Sequence, residues 1–160
     1  MAFVAVRGID KVMTRLNMAI AKIEATSLAG LIQAAIIIRR DMDKTPPVIP
    51  IDFGNLRASW FIVAGFGPSP RTSGGFKGPE ASKMSADHSS VKGGAKAKVT
   101  GKPMIGFGFS AYYANIVHEE MTPKNWQRPG SGPLFLERSV TRNYSAILMA
   151  IANSARLTRI

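Results

Sequence analysis

From Asp10 onward, Val12, Leu16, Ala19, Ile20, Ile23, Leu28, Leu31, Ile32, Ala35 and Ile36 recur at three- and four-residue steps. That is the period of one helical face, and it predicts a single long amphipathic helix. Asp10 carries the side-chain oxygen that an N-cap needs for an unpaired amide. Thr45-Pro46-Pro47 should stop the helix, because proline lacks an amide proton and turns its predecessor away from helical geometry. About 30 residues at about 1.5 Å each make a rod of roughly 45 Å. Gly30 is a point where the rod is expected to kink or divide.

The remainder of the chain must cover that apolar stripe. Phe3, Val4 and Val6 suggest a short opening strand. Asp52-Phe53-Gly54-Asn55 reads as a turn and Leu56 to Ala64 as a strand covered on both faces, since Trp60 and Ile62 alternate with Phe61 and Val63. A second strand is expected from Met104 to Ser110. It has Ile105, Phe107 and Phe109 on one face and bare Gly106 and Gly108 on the other, which points to close approach by another element. Tyr112 to Glu120 reads as a short helix or bent continuation, and 122 to 132 as loop. Pro133 suits the first turn of a last helix, with Leu136, Val140, Tyr144, Ile147, Leu148 and Ile151 as its stripe to about Ala155.

Between the strands, residues 65–101 are dominated by glycine, serine, lysine and proline. Arg71, Lys77, Lys83, Lys92, Lys96 and Lys98 there outweigh Glu80 and Asp87. This composition predicts a flexible basic loop or extended hairpin, with Lys96 to Thr100 beginning the returning strand. The expected fold class is therefore α+β. A long N-terminal helix and a C-terminal helix pack on a small antiparallel β-sheet, with a long flexible basic loop between strands. At 160 residues the chain is expected to form one domain.

Most chemistry is excluded by what is missing from the pattern. The chain has no cysteine, which removes disulfides, thiol catalysis and cysteine-bound zinc. Its two histidines, His88 and His118, lack helical zinc spacing, and no serine sits in a nucleophile elbow. The glycine-rich stretches fail as dinucleotide or P-loop motifs. The carboxylate pairs Asp41/Asp43 and Glu119/Glu120 adjoin element ends, where solvated acids are common. The expectation is a non-enzyme with no cofactor and no metal. No apolar run is read as reaching the roughly 20 residues of a bilayer span, and no secretory signal is read at the start, so no membrane partner is expected.

Net charge is +11, from 21 Lys+Arg against 10 Asp+Glu, which favours polyanionic surroundings. The six loop cations are candidates for DNA or partner contact. One function class consistent with them is a nucleic-acid-binding module that acts on phosphate without sequence preference.

Three local patterns, in order, resemble a known family. After the long helix come Thr45-Pro46-Pro47 and Gly54-Asn55-Leu56-Arg57-Ala58-Ser59. Later come Tyr113-Ala114-Asn115-Ile116-Val117-His118-Glu119 and then Pro133-Leu134-Phe135-Leu136-Glu137. Together they resemble the neck proteins of tailed bacteriophages: head–tail connector, tail-completion and minor capsid proteins. The matched segments cover about a quarter of the chain. The chain departs from the family in having Phe53 before the glycine, where a small hydroxyl residue is common, and in its long lysine-rich insert.

The resemblance implies a virion protein made in the host cytoplasm. It would assemble as a ring of six or twelve copies, coaxial with the DNA channel, against adjacent neck or tail proteins. It implies structural or subunit-interface roles for Gly54, Asn55, Leu56, Arg57, Tyr113, His118, Glu119 and Phe135. Taken by its position near the turn, Arg57 is expected either to pair with Glu119 or an acid of a neighbouring subunit, or to stand as a solvated charge at the strand end.

Overall fold

The fold was obtained as a computed structural model that describes residues 9–71, 75–121 and 126–156. The expected strand at Phe3 to Val6 lies outside them. Helix α1 runs unbroken from Ile9 to Lys44, beginning one residue before the expected cap and ending at the Thr45-Pro46-Pro47 turn, whose Pro46–Pro47 peptide bond is cis. After a short helical turn α2 (Asn55–Ala58), strand β1 spans Trp60–Ala64. Helix α3 spans Ala81–Val99 and strand β2 Ile105–Phe109, followed by α4 (Ala114–Glu119), α5 (Phe135–Arg142) and α6 (Tyr144–Arg156).

The α+β class is as expected: a long N-terminal helix and C-terminal helices pack with a two-stranded antiparallel sheet. The register sets Trp60 opposite Phe109, Ile62 opposite Phe107 and Ala64 opposite Ile105, so the large side chains share one face. That face meets Ala35, Ile38 and Met42 of α1, together with Leu56 and fully buried Phe135, in the main core. The opposite face presents Phe61 and Val63, with Gly108 and Gly106 across from them, and is covered by Ala95 and Val99 of α3. A side chain at Gly106 would press on Val63 at 3.0 Å, which is the close approach its sequence position suggested.

Gly30 does not break α1. A Cβ there would lie 2.9 Å from the Ile151 Cα, so glycine lets α6 pack directly against α1. Ser139 Oγ, fully buried, donates to the Ile38 carbonyl at 3.0 Å and ties α5 to the same helix.

Four sequence expectations are corrected. Residues 65–101 are not a continuous loop or hairpin, because they contain the 19-residue helix α3. Met84, His88, Ala95 and Val99 fall at steps of four, seven and four, and this sparse stripe meets the sheet despite the polar composition around it. Lys96 to Thr100 is accordingly the end of a helix, not the start of a strand. Leu56 does not begin β1: Gly54, at φ 84°, first launches a helical turn, and the strand starts at Trp60. Finally, the terminal helix is two helices, with Asn143 between them capping back onto the Ser139 carbonyl at 2.9 Å.

Helix α1 is also apolar and long enough over Met13–Lys44 to meet the length and hydropathy of a membrane span, contrary to the sequence expectation. Part of that apolarity serves the core, since Leu28, Ala34, Ala35, Ile38 and Met42 are buried.

Candidate functional site

The segments quoted above for the resemblance converge on one side of the molecule. Gly54 adopts the left-handed backbone that favours glycine, and the chain then winds through α2. Asn55 turns outward and pairs with the backbone of Lys77, while Leu56 turns inward and is buried in the main core. Tyr113 packs partly buried against that core from the entry to α4. Its phenol is pushed above the ordinary value by burial, then by neighbouring Tyr112 and Asp52.

At the end of α4, the His118 carbonyl accepts the Leu134 N–H at 2.8 Å, which hangs the start of α5 on this helix. The His118 ring then meets Phe135 edge-on at 4.9 Å, and Phe135 meets Phe109 of β2 at 5.6 Å. Between Pro50–Leu56 and the side chains of Tyr113, Val117 and Trp126 lies an open cleft of about 310 Å³.

Arg57 does not reach Glu119. It pairs with Asp43 of α1, Nε to Oδ1 at 2.9 Å and Nη2 to Oδ2 at 3.1 Å, because α2 lies over the end of that helix. Asp43 also receives Arg39 at 2.8 Å, one turn back. Burial lowers the Arg39 pKa, and the Asp43 carboxylate opposes that shift. Glu119 instead faces its neighbour His118, Oε1 to Nδ1 at 2.8 Å.

Two arginines that the sequence did not single out complete this edge. Arg142 of α5 grips Asp41 through Nε at 3.1 and 3.2 Å and donates to the Pro46 carbonyl at 3.0 Å. Burial alone would raise the Asp41 pKa, but hydrogen bonds, led by that of Arg142, outweigh it and hold the carboxyl below its ordinary value. Arg128 donates to the Ile49 carbonyl at 3.3 Å and to that of Asp43. Together they clamp the turn after α1. The sequence carries no local signal for them, because their partners lie some 80 to 100 residues away.

The six candidate contact cations do not form one surface. Lys96 is committed to the fold, donating to the Ala64 and Gly67 carbonyls at the end of β1. Lys83 sits over the Tyr112 ring at 5.8 Å, and Lys92 is half-buried near His88. Arg71, Lys77 and Lys98 are exposed. Successive positions on a helix turn by about 100°, so Lys83, Lys92 and Lys98 point in different directions around α3.

Among the described residues, no three His, Asp or Glu side chains gather as metal ligands. What the site offers is a rigid junction: buried Leu56 and Phe135 inside, a ring of arginine–carboxylate pairs at one edge, and an open cleft above. No protein-family model matches the chain, and no curated protein or solved structure matches it at a significant level.

Proposed function

We propose that this protein is a structural component of the neck of a tailed phage virion, forming a ring around the DNA channel that joins head to tail or completes the tail. The observation that carries the reading is the convergence of the resembling segments. Gly54 to Ser59, Tyr113 to Glu119 and Pro133 to Glu137 are scattered along 84 positions of sequence, yet they pack around one junction, to which Arg142 of α5 ties the Thr45-Pro46-Pro47 turn. That segments so far apart in sequence meet in space supports reading them together as one folding unit.

The physical properties agree with a mechanical role. A closed ring requires each copy to present two different, complementary surfaces. The open cleft at the junction is a candidate for one of them. The charge of +11 suits a protein next to DNA, as attraction to phosphate needs cations but no ordered readout.

Electron microscopy of particles from a lysate with this gene interrupted tests the proposal. Filled heads beside separate tails, or tails of uncontrolled length, are expected. Normal infectious particles would overturn the reading and make salt-titrated DNA binding the next experiment.

A further inference from the structure

The N-terminal half of α1 stands apart from the rest of the fold with an apolar stripe that nothing in the described structure covers. Met13, Leu16, Ile20 and Ile23 are 50%, 51%, 46% and 56% exposed. They recur at steps of three, four and three, the spacing of a coiled-coil seam. We infer that this seam is an interface with a second copy of the chain, seated helix against helix along α1. The inference stands apart from the neck reading, since it rests on the seam alone and needs no virion.

Three features favour a helix of the same chain as occupant. The first is width. Flanking positions hold Val12, Asn17, Ala19, Glu24 and Thr26, four of the five polar or small, so the stripe is the narrow seam of paired helices, not the broad apolar face with aromatic anchors that a lipid surface rewards. The small Ala19 leaves room for close approach of two backbones.

The second is charge. Lys11, Arg15 and Lys22 lie seven or four residues apart on the side of the helix facing away from the seam. Two copies can therefore meet without opposing cations, although the chain as a whole is strongly basic. The cation positions next to a coiled-coil seam, which decide partner choice, carry none here.

The third is continuity. Four residues beyond Ile23 the same face continues through Ser27 to Gly30, where α6 already packs on it, with Ile151 and Ser154 in contact range of the Gly30 position. The face is thus built to receive a helix along its whole length. Within the described chain, that helix reaches only the C-terminal part.

Sedimentation velocity over a micromolar concentration series tests this on the full-length chain. The wild type should associate reversibly. Leu16→Gln combined with Ile20→Gln should weaken association by about a hundredfold or more, the effect of losing two buried aliphatic side chains. Its circular dichroism should stay unchanged, since neither residue belongs to the core. Met18→Gln, on the opposite side of the helix and more exposed than any seam residue at 61%, should associate like the wild type. A wild type that stays monomeric, or a double variant that associates equally well, would overturn the inference. So would flotation of a monomeric wild type with phosphatidylcholine–phosphatidylserine vesicles that the double variant loses, which would assign the seam to a lipid surface.

Discussion

Asn55 and Lys77 are joined twice: the Asn55 side-chain oxygen accepts the Lys77 N–H at 2.8 Å, and its amide donates to the Lys77 carbonyl at 2.9 Å. One side chain thereby does what a neighbouring strand would do. It holds the segment leading into α3 against the turn before β1, and Phe76 beside it packs into the main core. Asn55→Ala should lower stability by about 1–2 kcal/mol, two exposed hydrogen bonds at roughly 0.5–1.5 kcal/mol each less their partial replacement by water. Asn55→Asp keeps the acceptor and should cost about half as much. Urea midpoints of the three proteins check both values, and equal midpoints would mean that Phe76 alone anchors the segment.

Glycines in this chain have opposite expected effects when changed to alanine. Gly93 and Gly94 lie in the middle of α3, and a Cβ at either meets no atom within 4 Å. Gly93→Ala and Gly94→Ala should each stabilise by up to about 1 kcal/mol, the difference in helix propensity. At Gly65 a Cβ would fall 1.8 Å from the Lys102 carbonyl oxygen and 2.6 Å from that of Val99. Gly65→Ala must push the end of α3 off the strand and should cost more than about 2 kcal/mol. The same urea titration, with opposite shifts in midpoint, separates the two cases.

The contrast between α1 and α3 explains what could be read from sequence. The stripe of α1 is dense in leucine and isoleucine, so its period stands out without knowledge of what it packs against. In α3 only Met84, His88, Ala95 and Val99 mark the face, and lysine, serine and two glycines fill the other positions. Composition pointed to loop, and a sheet elsewhere in the chain supplied the surface that made helix the outcome. Strand β2 was legible because phenylalanine and glycine alternate in it. The expected Arg57–Glu119 pair failed for a different reason. Charge makes a partner necessary but not specific, and which acid lay nearer depended on how α2 crosses α1. The Arg142–Asp41 grip spans 101 positions and leaves no local trace.

Phe135 carries the link between α5, α4 and the sheet. It is fully buried, edge-on to Phe109 and met by His118. Phe135→Ala should destabilise by about 3–5 kcal/mol, the transfer cost plus the cavity left behind. Phe135→Leu retains most of the volume and should lose less than half of that. If both variants unfolded at the wild-type midpoint, the junction would not be the rigid unit inferred above. Differential scanning calorimetry reads both transitions.

Stability should also depend on pH through His88. Its Nδ1 lies 2.7 Å from the Ser110 hydroxyl, and its ring is set edge-on between Phe61 at 6.2 Å and Phe76 at 5.7 Å. Burial lowers its pKa, and Lys92 one turn along α3 lowers it further, against a smaller opposing effect from the Ser59 backbone. The folded chain therefore binds this proton more weakly than the unfolded chain, and the unfolded state takes up more protons as pH falls. The contribution of a neutral His88 to stability is fully present above the ordinary histidine value of about 6.5 and declines as pH drops from there through the lowered folded value. Urea midpoints at about pH 7.5 and about pH 5 should fall more steeply for the wild type than for His88→Gln, which keeps a polar group near Ser110 but cannot ionise. The variant subtracts the background of the rest of the chain, so an equal fall in both proteins would mean that α3 accommodates a charged imidazole and that His88 is a packing residue alone.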